Sequence, residues 1–325
     1  MLVNGIWQNK WDPVQKKDGE GRFIRQTSSF RNSVSTERVE QVVSQKSTHL
    51  GVKLYVAYIC PWATRTLIAR SLLGLEQYIP VNIVEPVLSD YGWKFSDSSS
   101  SAFSGSTAAD SAGVEFIHQL YTQSDDQYSG RATVPVLWDT VDNGILNNES
   151  ADIVRILNND LRPIHQSEYD LIPPKLSEEI DRFNEKIYES LNNGVYKAGF
   201  ASSQVAYEEA YHEVFSTLDW LEQHFAEHTY AVGEQLSESD IRLFVTLVRF
   251  DPAYFSLFKT NRQRISDYPN LSAYLKRLLQ IPAFAENTRV DHIKAGYYSI
   301  EALNPQKIVP KGPELDWFSY LEEVS

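Results

Sequence analysis

The sequence predicts an α/β region over residues 49–160 followed by an all-helical region over 170–300, with an N-terminal arm (1–48) and a C-terminal tail (301–325). Two patterns carry this. Apolar runs of strand length alternate with helix-period segments as far as residue 160, and beyond a linker marked by Pro163, Pro173 and Pro174 the periodic segments are all helical. A hydrophobic content of 42%, with 12% aromatics, is ample for packed cores in 325 residues.

Residues 1–48 are polar, with Arg22, Arg25, Arg31 and Arg38 among Ser, Thr and Gln. They read as an extended arm on a neighbouring surface or as a flexible tail. Gly51 to Tyr58 is rich in β-branched and aromatic residues, so a buried strand is expected over 52–58. A helix follows over 62–74, with Pro61 in its first turn, where a missing N–H costs nothing. Tyr78 to Val84 is a second strand. Trp93 and the run Ser96 to Ser101 then mark a surface loop. A short helix fits 114–122. Thr133 to Asp139 is strand-like and pairs as a hairpin with 144–146, and Glu149 to Asn158 makes a helix with Ile153, Ile156 and Leu157 on one face. Strand, helix, strand, hairpin, helix is a thioredoxin-like order. The later helices are expected near 175–193, 201–227, 239–260, 270–280 and 286–296. Ser237, followed three residues on by Asp240, marks the start of the third. The tail after Ile300 is proline-rich and is expected to be extended.

The single cysteine, Cys60, falls between the first strand and the first helix. A sulfur there faces the positive end of the helix dipole, a setting that stabilises thiolate over thiol. A buried structural cysteine is the competing reading. Position 63 is alanine, which excludes a Cys-x-x-Cys cycle, and with no second cysteine an intramolecular disulfide is impossible too. If Cys60 attacks sulfur, an external thiol must resolve the mixed disulfide, and small cytosolic thiols such as glutathione are the obvious candidates.

The net charge of −13 argues against nucleic-acid and anionic-membrane partners. No segment reaches the roughly 18 apolar residues of a membrane span. Neither end of the sequence carries a signal-peptide core or a peroxisomal address, so the expected compartment is the cytoplasm. His224 and His228 have ligand spacing, but no further ligand completes a motif and no metal is expected. His292 reads as structural.

Several strings narrow the reading. Cys60-Pro61-Trp62-Ala63, Gly130 to Asp139, Asn147-Asn148-Glu149-Ser150, Asn193 to Ala201, Arg249 to Tyr254 and Ile308 to Pro313 together resemble the Xi class of omega-like glutathione S-transferases, the glutathionyl-hydroquinone reductases. The resemblance runs from Trp7 to Pro313. It implies the glutathione S-transferase fold, with an N-terminal thioredoxin-like domain and a C-terminal helical domain, the site in the cleft between them, and a homodimer. Glutathione is the implied co-substrate and glutathionylated aromatics the implied acceptors.

The resemblance also implies residue roles. Val134, before a cis Pro135, offers its backbone to the glutathione peptide, and Thr133 belongs to the same loop. Glu149 receives the ligand's ammonium, Ser150 its γ-glutamyl carboxylate, Trp93 packs on the tripeptide and Arg131 contacts it. Tyr196 transfers a proton, while Tyr254 and Tyr297 hold the thiolate by hydrogen bonds. An unperturbed phenol has a pKa near 10 and donates at neutral pH. The implied reaction is reduction of glutathionyl-hydroquinones through a Cys60–glutathione mixed disulfide, with thioltransferase and dehydroascorbate reductase side activities. An omega-like thioltransferase and a non-catalytic binding protein are the alternatives. Two positions depart from the family pattern: Thr64 and Gly296 stand where histidine is usual.

Overall fold

A computed structural model describes residues 1–8, 17–96, 101, 103–108, 113–165 and 167–322. Most of the expected serine-rich loop, Asp97 to Ser100, lies outside the described residues. The chain forms two compact units, one of Met1–Asp12 with Gln26–Tyr169, the other of Pro13–Arg25 with Asp170–Ser325.

The first unit opens with a two-stranded ribbon, β1 (Leu2–Val3) and β2 (Ile6–Trp7). Within the expected arm lies a helix, α1 (Thr36–Gln45). Ser35 caps it by accepting the Arg38 N–H, Lys46 ends it in the left-handed region, and Val39 and Val42 are its buried stripe. Two valines one turn apart in a polar context are a weak periodic signal, which is why composition alone reads as arm.

A four-stranded mixed sheet follows in the order β4–β3–β5–β6. Strand β3 (Val52–Val56) pairs in parallel with β4 (Val81–Ile83), and helix α2 (Pro61–Leu72) supplies the crossover that a parallel pair requires. Helix α3 (Ile117–Ser124) leads to β5 (Val136–Asp139), antiparallel to β3, and β6 (Gly144–Asn147) closes a hairpin with it. Buried residues run along both faces of β3, and the ring of Tyr55 meets Phe95 and Trp138 edge-on. Helix α4 (Ser150–Arg155) packs on α2 and continues as a π-helical turn over Ile156–Asp160.

The second unit is helical: α5 (Ser177–Ile187), α6 (Gly194–Gly199), α7 (Gln204–Glu227), α8 (Glu238–Arg249), α9 (Phe255–Leu257), α10 (Pro269–Leu279), α11 (Pro282–Ala285) and α12 (Val290–Tyr298). Short 3₁₀ and α turns occupy Asp316–Phe318 and Ser319–Glu322 of the expected extended tail. The chain breaks helix between α6 and α7, and Ser203 caps α7. At Gly199 a Cβ would lie 2.4 Å from the Phe258 ring, so only glycine lets α6 approach that side chain.

The expected start of α8 is a capping box. Asp240 accepts the Ser237 N–H at 2.9 Å, the Ala231 N–H at 2.8 Å and the Tyr274 hydroxyl at 2.8 Å. Two π-helical turns interrupt this unit, Tyr188–Asn192 before α6 and Phe250–Tyr254 after α8. The second contains Pro252, which has no N–H to give to the ladder.

Candidate active site

In the first unit Cys60 is the N-cap of α2, so its half-buried sulfur lies at the positive end of that helix. Its thiol donates to the Val134 carbonyl at 3.4 Å. The Val134–Pro135 bond is cis. The cysteine thus touches the backbone of the loop that the sequence reading assigns to glutathione. Thr64, the first departure from the family pattern, is fully buried, and its hydroxyl donates to the Cys60 carbonyl at 3.0 Å. The Arg65 guanidinium lies 4.4 Å over the Trp62 ring.

Two loops flank this point, and the arm fastens both. The arm meets these loops through residues 26, 28 and 30. Gln26 Oε1 accepts the Arg131 N–H at 3.0 Å, and the Ser28 hydroxyl donates to Glu149 at 2.8 Å. Phe30 exchanges backbone contacts with Asn148, its carbonyl accepting the Asn148 N–H and its own N–H reaching Asn148 Oδ1, each at 3.1 Å. Arg31 adds an ion pair to Asp152.

A buried tyrosine joins the same loops from beneath. Tyr121 Oη donates to the Thr133 carbonyl at 2.9 Å and accepts from the Thr133 N–H at 3.2 Å and from Asn148 Nδ2 at 3.0 Å. Burial pushes its pKa far above the usual phenol value, so it stays a neutral donor and acceptor. Glu149 caps α4 by accepting the Ala151 N–H, and Ser150 is buried beside it with its hydroxyl 3.5 Å from Glu149 Oε1. Trp93 is half-buried, and its carbonyl accepts the Ile117 N–H at the start of α3.

In the second unit three phenols meet. Tyr196 Oη lies 2.5 Å from Tyr297 Oη and 3.5 Å from Tyr254 Oη, and the last two are 2.9 Å apart. The three residues come from α6, the π-turn after α8, and α12, so the triangle exists only through packing of those elements. Gly296, the second departure, is buried in α12 directly before Tyr297.

Tyr254 and Tyr297 are 0% and 3% exposed, whereas Tyr196 is part-exposed. Burial first, then the neighbouring Tyr196, pushes the pKa of both well above the usual value, with Arg249 opposing. They therefore stay protonated. In the neutral triangle either oxygen of each pair can donate, and once Tyr196 loses its proton both neighbouring O–H groups can turn to its oxygen, as an oxyanion hole serves an alkoxide. Phe23, Phe200 and Phe258 surround the Tyr196 ring.

The structure thus joins Cys60, Thr133, Val134 and, through the shared Tyr121 and Asn148 contacts, Glu149 and Ser150 in one region of the first unit. It joins Tyr196, Tyr254 and Tyr297 in the second. Sequence reading missed Tyr121, Gln26 and Ser28, which no motif in the chain marks. His224 and His228 stack at 4.3 Å, and each has a ring nitrogen within hydrogen-bond distance of a backbone carbonyl. Among the described residues no group of three or more His, Cys, Asp or Glu could hold a metal ion, and no helix is long and apolar enough to cross a membrane.

Known proteins are similar to this chain over nearly its whole length. Residues 59–160 match the glutathione S-transferase N-terminal domain and residues 204–277 the C-terminal domain. The chain is 44% identical to the glutathionyl-hydroquinone reductase YqjG of Escherichia coli, covering 97% of this chain and 96% of that protein. A glutathione-bound structure of YqjG superposes with a TM-score of 0.83 at 40% identity, over 98% of this chain and 97% of that one. The glutathione S-transferase Xi of Phanerochaete chrysosporium superposes with a TM-score of 0.85 at 41% identity, over 92% and 95% of the two chains.

Proposed function

The chain belongs to the glutathione S-transferase family, in its Xi class of glutathionyl-hydroquinone reductases, and from that premise we propose that it reduces glutathionyl-hydroquinones to hydroquinones with glutathione as reductant. The observation that carries this reading is the lone cysteine at the N-cap of α2, bonded to the Val134 carbonyl. A hydroxyl at that position would activate glutathione's own sulfur, whereas a thiol forms a mixed disulfide with it.

In the first half-reaction the Cys60 thiolate attacks the glutathionyl sulfur. The carbon–sulfur bond breaks toward the ring, whose keto form carries the electron pair as a stabilised carbanion. That carbon takes the Tyr196 proton, leaving hydroquinone, a Cys60–glutathione disulfide and a Tyr196 phenolate held by the hydroxyls of Tyr254 and Tyr297. Tyr196 regains its proton from solvent as hydroquinone leaves. In the second half-reaction glutathione, its thiol proton lost to solvent, attacks the bound glutathionyl sulfur as thiolate, releases oxidised glutathione and restores the Cys60 thiolate.

Glutathione binds through the Val134 backbone and the Thr133 loop, with Glu149 and Ser150 at its γ-glutamyl end and Trp93 and Arg131 along the tripeptide. Thioltransferase and dehydroascorbate reductase activities use the same thiol chemistry. The working form is a homodimer in the cytoplasm, where small thiols are kept reduced; sedimentation tests the first point.

The reading is tested by mixing the protein with glutathionyl-hydroquinone in the absence of free glutathione. Intact-protein mass spectrometry should show one glutathionyl adduct, lost on adding glutathione and absent in Cys60→Ala. A chlorodinitrobenzene-type electrophile should be a poor substrate. If no adduct forms while electrophile conjugation is fast, the chain is a conventional transferase and the proposal fails.

A further inference from the structure

We propose that Arg25 is a positioning residue for proton transfer, acting through Tyr196; this rests on the reading of Tyr196 as the proton donor. Arg25 ends the short arm segment that belongs to the helical unit. Its guanidinium carbon lies 4.8 Å from the centroid of the Tyr196 ring and 5.3 Å from that of Phe23. Its Nε donates to Asn193 Oδ1 at 2.8 Å. Asn193 is buried and stands three residues before Tyr196, so both lie on one side of the helical turn and together fix the guanidinium against the phenol face.

That segment is itself held to the helical unit. The Gly21 carbonyl accepts the Ser202 N–H at 3.1 Å, the Ser203 hydroxyl donates to the Glu20 carbonyl at 2.7 Å, and Arg22 pairs with Glu209 at 2.9 Å. Phe23 lies roughly parallel to Phe200 at 5.8 Å. The arginine is therefore presented by an anchored strand of chain.

A cation over a phenol face withdraws electron density and is attracted far more strongly to the phenolate than to the phenol. When Tyr196 yields its proton to the ring carbon, the new negative charge meets two hydroxyl donors at its oxygen and the Arg25 cation at its ring. Arg25 therefore acts on the step that makes phenolate. The second half-reaction, in which glutathione attacks the mixed disulfide, makes no new charge on Tyr196.

The test is single-turnover kinetics of each half-reaction in Arg25→Gln, Arg25→Lys, Tyr196→Phe and Arg25→Gln/Tyr196→Phe. Arg25→Gln should slow hydroquinone release roughly 5- to 30-fold, the range of a partly desolvated cation–π contact, and leave mixed-disulfide reduction by glutathione unchanged. That unchanged second rate also reports an intact fold. Arg25→Lys, which keeps the charge, should fall between wild type and Arg25→Gln. In the Tyr196→Phe background Arg25→Gln should cause no further slowing, because the group through which it acts is gone.

Equal slowing of both half-reactions, or full additivity with Tyr196→Phe, would mean that Arg25 serves the fold or contacts substrate directly, and would overturn the proposal. If Tyr196→Phe is slow but Arg25→Gln is not, the arginine assignment alone falls. If Tyr196→Phe releases hydroquinone at the wild-type rate, the proton-donor reading fails and the role of Arg25 goes with it.

Discussion

Cys60 and Tyr196 are held in place by different kinds of contact. Cys60 meets backbone, at the helix end and at the Val134 carbonyl. Around Tyr196 the partners are side-chain hydroxyls and rings drawn from three separated elements. A backbone-built site depends on chain path and tolerates exchange of many side chains. A side-chain-built site fails at single atoms. Substitutions should therefore sort by region.

The largest effect belongs to Cys60→Ala. Losing the nucleophile should cost on the order of 10³-fold or more in hydroquinone release, measured at saturating substrate, while Val134→Ala, which keeps the carbonyl, should change the rate little. A large loss in Val134→Ala would break the backbone-versus-side-chain contrast.

Within the phenol triangle, Tyr196→Phe should slow the first half-reaction by ~10²–10⁴-fold, the usual range for a general acid. Removing one donor to the phenolate should forfeit about 1.5–3 kcal/mol. Tyr297→Phe should be the worse of the two donors' variants, since its oxygen is 2.5 Å from Tyr196 and that of Tyr254 is 3.5 Å. Stopped-flow rates that rank Tyr254→Phe as more damaging would reverse the assignment.

Glutathione affinity should respond to the loop carboxylate. Glu149→Ala leaves a ligand ammonium unpaired and should weaken binding by about 1–3 kcal/mol. Ser28→Ala removes only the hydroxyl that orients Glu149, for about 0.5–1.5 kcal/mol. Calorimetric titration with glutathione separates them, and an unchanged affinity in Glu149→Ala would remove that residue from the site.

The smallest effect is the response of stability to pH, which differs in sign between the units. Burial raises the Asp139 pKa, but the Asp142 N–H, the Arg38 guanidinium and the Val141 N–H outweigh it and leave the group below its ordinary 3.8. Its contribution is present above that value and is lost as pH falls through the lower folded pKa. Burial dominates at Asp240, against opposing bonds from the Ala231 and Ser237 N–H groups and Tyr274, and raises its pKa. That contribution is present below 3.8 and is lost as pH rises through the folded pKa. Urea midpoints against pH should show Asp139→Asn flattening the acid limb and Asp240→Asn flattening the decline toward neutrality. The same slope change in both variants would contradict the difference.

Much of the local order was legible because its causes are local. Pro61 after a β-branched run announces a helix start, and Ser237 with Asp240 announces another. The helix α1 was not legible, because its apolar stripe is two valines in an otherwise polar stretch. Helix α6 falls in the gap between the helices expected over 175–193 and 201–227, because six residues with a glycine at each end carry no helical period. The three tyrosines were chosen among 18 by family resemblance alone. No spacing in the chain distinguishes Tyr196, Tyr254 and Tyr297 from the rest.

By itself the sequence determined the lone thiol and its place between strand and helix, and with them a monothiol chemistry that needs an external partner. Local pattern and composition suffice for this, because a helix end is a property of a short stretch and a lone cysteine is a count over the chain. Only the tertiary structure decided which hydroxyls share a proton network, which arm residues fasten which loop, and that Arg25 lies on the face of Tyr196. Those contacts join positions separated by 43 to 171 residues. The free energy that selects them comes from burying whole elements together, so no local pattern in the chain records it.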